Sequence, residues 1–468
     1  MQHKNRKNLL SLKEAYTVNQ KAFKLLYRQY PQMFTSRLAC VIWDALTPYI
    51  SIYLSALIID ELSTTRDSET LTILMLIALV SAAIISLVSA FLTKWRDTQC
   101  AGMYFKVNQI FTKKLLDMDF SSVDNTKTHE LLSTIDQNQN SGGWGLNKII
   151  WNYEALISSI LTLLGGISLT ITLFVKPVSQ DAGRMTVLNN PLFIVVLVLV
   201  MFAVTYISPA LSNKADSYSA RLADAHNLGN RLFWFFGGLG YRQEYAADVR
   251  IYRQDLICDK YNNDKTNTFG SKGIFAKYAK GPVGLYHAAS AAVSVLFTGL
   301  AYAFVCLKAW AGAFGIGSVT QYISSITRLS GGVSSLIRTI GNMRNNASFL
   351  KLIFDFLEIP NAMQQGDLPI RQRSSCDYEI EFKNVSFKYP GSDEYALKNI
   401  NMKLKAGERL AVVGQNGSGK TTFIKLLCRL YDPTQGVILL NGTDIRTYDY
   451  ADYMALFSVV FQDFKLFA

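Results

Sequence analysis

Stretches of about twenty apolar residues recur along this chain, and no other feature restricts its fold as much. They run over Met33–Ile59, Leu71–Leu92, Ile149–Val175, Leu192–Ala210, Val283–Leu307 and Val319–Ile340. Most reach the roughly 20 residues that a helix needs to cross a bilayer. In hydrocarbon every backbone N–H and C=O must be paired, which a helix does within one segment. The pattern predicts an all-α membrane region of about six spans. The last stretch is the weakest, because Gln321, Ser324, Ser325, Thr327 and Arg328 interrupt it. Half of the 468 residues are hydrophobic yet 18% are charged, so apolar spans are joined to a soluble part.

Charge gives the spans a direction. Lys and Arg gather in two long connections, residues 94–147 and 212–280, whereas 60–70, 176–190 and 308–316 are short and poor in them. The positive-inside rule then places the long connections and both termini in the cytoplasm. The net charge of +12 fits cations facing an anionic inner leaflet, so membrane lipid is the expected partner. No basic patch interleaved with aromatics points to nucleic acid. Residues 1–32 carry Lys4, Arg6, Lys7, Lys13, Lys21, Lys24 and Arg28 against Glu14 alone. No apolar core of a cleaved signal follows these charges. Leu9, Leu10, Leu12, Tyr16, Phe23, Leu26 and Tyr27 predict an amphipathic cytoplasmic helix on the membrane surface, a solvated tail being the alternative. The six cysteines are scattered without a C-x-x-C pair, which predicts free thiols.

A second motif belongs to the soluble part. Gly414-Gln415-Asn416-Gly417-Ser418-Gly419-Lys420-Thr421, followed by Thr422, has the G-x-x-x-x-G-K-[ST] form of a P-loop. Arg409–Val413 ahead of it reads as a buried strand, and 422–427 behind it has helical spacing. Glycines let successive N–H groups converge on phosphate, and a helix N-terminus adds partial positive charge. Lys420 is expected to reach the terminal phosphates and Thr421 to ligate Mg²⁺. Mg-ATP or another nucleoside triphosphate is the expected cofactor.

With Phe387-Lys388-Tyr389-Pro390, Ala396–Ile400 and Ala406-Gly407-Glu408 upstream, and Val460-Phe461-Gln462-Asp463 downstream, the P-loop region resembles an ATP-binding cassette (ABC) domain. The resemblance implies that Tyr389 stacks on adenine and that Gln462 is the Q-loop residue contacting Mg²⁺. It extends to the membrane part, which resembles an ABC-exporter half-transporter of a bacterial cytoplasmic membrane and supports the sixth span. Short coupling elbows are then expected at Phe120–Leu131 and Leu232–Tyr241. Residues 245–252 resemble a segment of exporters related to peptide and bacteriocin transport. The expected architecture is a multi-domain membrane protein. It comprises an N-terminal segment (1–32), a transmembrane domain (33–358), a linker (359–377) and the first part of an α/β P-loop domain (378–468).

Leu329-Ser330-Gly331-Gly332 spells most of the family's signature, but it precedes the P-loop and lies in the sixth apolar stretch, where small residues serve helix packing. Asp44 and Arg328 fall near mid-bilayer at similar depth, and Pro48 favours a kink near Asp44. A charge there is expected to pair or to line a wet path, so these two are either a substrate-pathway pair or a structural ion pair. The sequence given reaches Ala468, six residues past Gln462. By resemblance, the signature, a second carboxylate, the general base and the switch histidine are expected beyond it. The expected partners are a second half-transporter and the remaining half of the cassette. ATP-driven export is the leading reading; a non-hydrolysing nucleotide-binding regulatory subunit and an inert fragment are the alternatives.

Overall fold

A computed structural model describes residues 10–178, 180–239, 242–263, 267–361, 363, 366–370 and 378–460. They divide into two compact units, one formed by residues up to 107 with 133–354, the other by 108–132 with 355 onward.

The helical unit opens with α1 (Leu12–Gln29). Ser11 and Glu14 form a reciprocal capping box that satisfies its first free N–H groups. One face, Ala15, Asn19, Ala22 and Leu26, is buried in the bundle, and Asn19 Nδ2 donates to the Met343 carbonyl at 2.9 Å. Leu12, Tyr16 and Tyr27 stay exposed. The helix therefore docks on its neighbours as well as offering an apolar side outward, which a surface-lying helix alone does not require.

The apolar stretches all become helices: α2 (Pro31–Ser63), α3 (Ser68–Cys100), and, after α4 (Met103–Asp117), α5 (Phe120–Val123) and α6 (Thr126–Gly142), α7 (Leu146–Val175) and α8 (Pro191–Arg221). Next come α9 (Ala223–Gly238), the short α10 (Ala246–Ile251), α11 (Gln254–Asn263) and α12 (Ile274–Lys280), then α13 (Pro282–Trp310) and α14 (Ile316–Leu357). Five are long and apolar enough to cross a membrane among the described residues. α14 is a 42-residue helix whose polar residues keep it out of that group. No residue of α3 is buried, and Leu79, Leu87 and Phe91 stand widely exposed, as side chains meeting lipid do. α2 continues as one helix through Pro48.

α7, α8, α13 and α14 share a core of Leu173, Met201, Phe297, Phe304, Val305, Tyr322 and Ile326. Lys308 is buried there, its Nζ donating at 2.5 Å to the Leu173 carbonyl. That carbonyl lies in the last turn of α7, where helices leave acceptors unpaired, so the lysine acts as a cap delivered from α13. A Cβ on Gly166 would stand 3.0 Å from Leu329, and one on Gly332 would stand 3.3 Å from Leu163. Leu329–Gly332 thus sits inside α14 at a close approach to α7, as expected of small residues in membrane helices. Residues 232–238 of the second expected elbow continue α9, and 240–241 lie outside the described residues. No disulfide forms among the described cysteines.

The second unit is built on an antiparallel sheet in the order β2 (Leu397–Lys405), β1 (Glu379–Phe387), β3 (Gln435–Leu440), β4 (Thr443–Asp444). Phe382, Val385, Phe387, Ile438 and Leu440 bury against Phe423 and Leu426 of α15 (Lys420–Leu427) and against Tyr453 of α16 (Tyr450–Met454). The strand expected at 409–413 does not form, and the apolar run at 457–460 forms none either. Residues 409–413 join no ladder and leave Leu410, Val412 and Val413 exposed; 457–460 join none either, Phe457 packing on the core and Val459 and Val460 staying exposed, and Phe461 lies outside the described residues. An apolar run becomes a buried strand only when neighbours pair with it, and no described strand flanks either.

Part of the expected linker is stitched to this unit: Leu368 N donates to the Thr447 carbonyl at 3.1 Å, and Asp449 N to the Leu368 carbonyl at 2.9 Å. The elbow α5 belongs to the same unit, and Asp119 Oδ2 accepts from Met363 N at 2.6 Å.

Candidate nucleotide site

Immediately ahead of α15 the P-loop bends through two left-handed glycines, Gly417 at φ +84° and Gly419 at φ +88°. A Cβ at Gly419 would lie 2.7 Å from both the Ala396 carbonyl oxygen and Leu397 Cδ2, so both conformation and space demand glycine. Gly419 caps α15, and Lys420 is its first residue. Lys420 Nζ folds across the loop and donates at 2.8 Å to the carbonyls of Gly414 and Gln415. Gln415, Asn416, Gly417, Ser418 and Thr421 are exposed along the same rim. A glycine-rich rim, a helix start and one ammonium make a cradle for an oxyanion.

Thr421 is exposed beside Lys420, where its hydroxyl can reach a cation carried by phosphate. Among the described residues no group of three His, Cys, Asp or Glu could hold a metal alone. Thr422 behaves differently. It is buried, and its Oγ1 lies 3.0 Å from the Tyr389 hydroxyl, so it faces the core and ties Tyr389 to the loop. Tyr389 packs edge-on against Phe387 and Tyr431, with ring centroids 5.0 and 5.5 Å away. Gln462 lies outside the described residues.

Sequence reasoning missed the surroundings of α15. Lys425 Nζ stands over the rings of Phe120, Tyr389 and Tyr431 at 5.3 to 5.6 Å and lies 3.7 Å from an Asp124 oxygen. Tyr431 donates its hydroxyl to Asp124 Oδ2 at 2.5 Å. Burial, and then this bond to a carboxylate, push the Tyr431 phenol far above its ordinary range. The elbow α5 is thereby tied to the nucleotide loop's helix within one unit.

The mid-bilayer charges are not brought together. No ion pair joins Asp44 to Arg328 among the described residues; the Arg328 guanidinium lies 5.7 Å over the Tyr49 ring, and Asp44 is exposed on α2. Tyr49 in turn donates its hydroxyl to the Thr162 carbonyl at 2.6 Å.

A phosphate cradle on one unit and apolar spanning helices on the other define a membrane-embedded nucleotide-binding protein. Comparison with known proteins narrows this. Residues 397–468 match the family described as ABC transporter. The chain is 26% identical over 465 residues to the subtilin transport ATP-binding protein SpaT of Bacillus subtilis, covering 98% of this chain and 71% of that protein. It is 34% identical over 151 residues to the ATP-dependent lipid A-core flippases of Escherichia coli K12 and Shigella boydii, covering 32% of this chain and 25% of those proteins. The chain carries an ABC transporter nucleotide-binding domain and is related to ABC exporters over nearly its whole length.

Proposed function

We propose that these residues bind Mg-ATP at the P-loop and use it, within a bacterial cytoplasmic membrane, to drive export of a substrate through the helical unit. The observation that carries this is the Gly417–Lys420 cradle, with both left-handed glycines and the lysine folded over the loop. Gly414, Gln415, Asn416, Gly417, Ser418, Gly419 and Lys420 hold the phosphates in this reading, while Thr421 and Gln462 hold Mg²⁺. Tyr389 supports adenine, and Thr422 acts through Tyr389. When bound, the metal neutralises phosphate charge; the chain's own part is to bind and orient the phosphates. We place the domain boundaries at 1–32, 33–358, 359–377 and 378–468, and pair the chain with a second half-transporter, a copy of itself or a different chain.

A polypeptide of residues 1–468 alone is expected to bind Mg-ATP without turnover, because the P-loop and Gln462 supply no base for the attacking water. ATPase activity above background, abolished by Lys420→Ala, would reject that.

Stacking on an aromatic ring contributes about 1–3 kcal/mol for bases in nucleic-acid complexes. Tyr389→Ala is therefore expected to weaken ATP binding about tenfold or more, whereas Tyr389→Phe keeps the ring and loses only the Thr422 contact. Equal losses in the two variants, read by isothermal titration, would show that the ring does not carry the adenine.

Orientation has its own test. In a cysteine-free background, an impermeant thiol reagent on intact cells is expected to label Ser68→Cys and to spare Ser122→Cys. Labelling of the second position reverses the topology.

A further inference from the structure

Within the helical unit, α7, α8, α13 and α14 enclose a cavity of about 510 Å³. Its lining is rich in hydroxyls and amides and holds two cations, Lys148 and Arg338, with no Asp or Glu. Ser208 of α8 meets α13 there, its Oγ 2.9 Å from Ser290 Oγ and 2.8 Å from Ser294 Oγ. Asn152 is 3% exposed, and its Nδ2 finds no acceptor among the described residues. A buried donor left in that state is destabilising, which favours an incoming acceptor.

Asp216 of α8 acts on Lys148 more strongly than Arg338 does, yet no ion pair joins Lys148 to Asp216 among the described residues. Lys148 Nζ instead stands 5.1 Å from the Trp144 ring and 5.9 Å from the Trp151 ring. Two like charges with a free amide donor and hydroxyls beside them match the recognition chemistry of an oxyanion.

Depth identifies what carries the anion. Lys148 lies about 3 Å past the start of α7, and Ser208 about 25 Å down α8, at 1.5 Å per residue. Arg338 lies about 33 Å down α14, so against a hydrocarbon core of about 30 Å both cations sit level with lipid headgroups, while the serines reach into the core. Trp151 beside it is 46% exposed, as interfacial tryptophans are.

We propose that this cavity binds the phosphate headgroup of an anionic amphiphile and that such an amphiphile is what the helical unit exports. The second clause rests on the export reading; the binding does not.

The test uses the 468-residue chain in dodecyl maltoside, titrated with dodecyl phosphate and followed by tryptophan fluorescence. Dodecylphosphocholine, inorganic phosphate and octaglutamate are the comparison ligands. Saturable binding of dodecyl phosphate is expected, about tenfold tighter than dodecylphosphocholine. Lys148→Gln and Arg338→Gln should each weaken it about tenfold, while Lys148→Arg and Arg338→Lys keep it, which separates lost charge from lost fold.

Unchanged affinity in the doubly neutralised chain overturns the site. Phosphate binding as tightly as dodecyl phosphate makes it a free-anion site and overturns the amphiphile; preference for octaglutamate replaces the lipid by an acidic peptide. ATP binding is measured on the same samples, so failure of nucleotide binding with headgroup binding intact rejects the export reading alone.

Discussion

Lys420→Ala is expected to reduce Mg-ATP binding about tenfold to a hundredfold, with the sheet unit still folded. Among the described residues the lysine donates to the Gly414 and Gln415 carbonyls on the exposed rim, so its loss removes no buried contact there. What it removes is an ammonium aimed at phosphate, and a hydrogen bond to a charged group is worth about 1.5–3 kcal/mol. Titration calorimetry on the full chain reads the loss, and circular dichroism checks the fold. Wild-type affinity in the variant would mean that phosphate does not sit over this loop.

Arg429→Met is expected to destabilise the nucleotide unit by about 3–5 kcal/mol, because it strands a partly buried carboxylate. Arg429 is fully buried at φ +53°, its Nε 3.3 Å from Asp432 Oδ1 and its guanidinium 5.6 Å over the Tyr450 ring. Burial raises the affinity of the Asp432 carboxyl for its proton, and Arg429 opposes that rise. Arg429→Met combined with Asp432→Leu should lose far less than the single change, since neither charge is left alone. Urea-dependent protease resistance of residues 355–468 follows both. Strict additivity of the two single changes would show that the pair is not coupled.

What could be read in the sequence was what depends on short range. The P-loop glycines were legible because left-handed φ is a property of single residues, and Gly417 and Gly419 adopt it. The spans were legible because a bilayer selects by length and apolarity, nearly one-dimensional quantities. Failures arose where neighbours decide. Leu410–Val413 has strand composition, but strands need partners, and none of the described ones lies beside it.

Asp44 and Arg328 were matched by depth alone. Depth fixes position along a helix axis and says nothing of direction around it, which turns about 100° per residue. Arg328 consequently meets Tyr49, five residues and more than a full turn beyond Asp44's own position. Tyr431 and Asp124 are 307 residues apart, and no local pattern encodes such a contact.

The two-piece construction of the nucleotide unit fixes an order of events during synthesis. Residues 108–132, with the elbow α5, leave the ribosome first, and their packing partners from 355 onward emerge only after about 220 further residues. At about 5–20 residues per second, Phe120 and Asp124 wait roughly 15 to 60 seconds for Tyr431, 307 residues on. During that interval the elbow has no sheet to rest on, and a ribosome-stalled intermediate ending before residue 355 should expose it to protease. The unit is closed from its last-made piece backward, so its assembly reports that translation has passed the membrane spans.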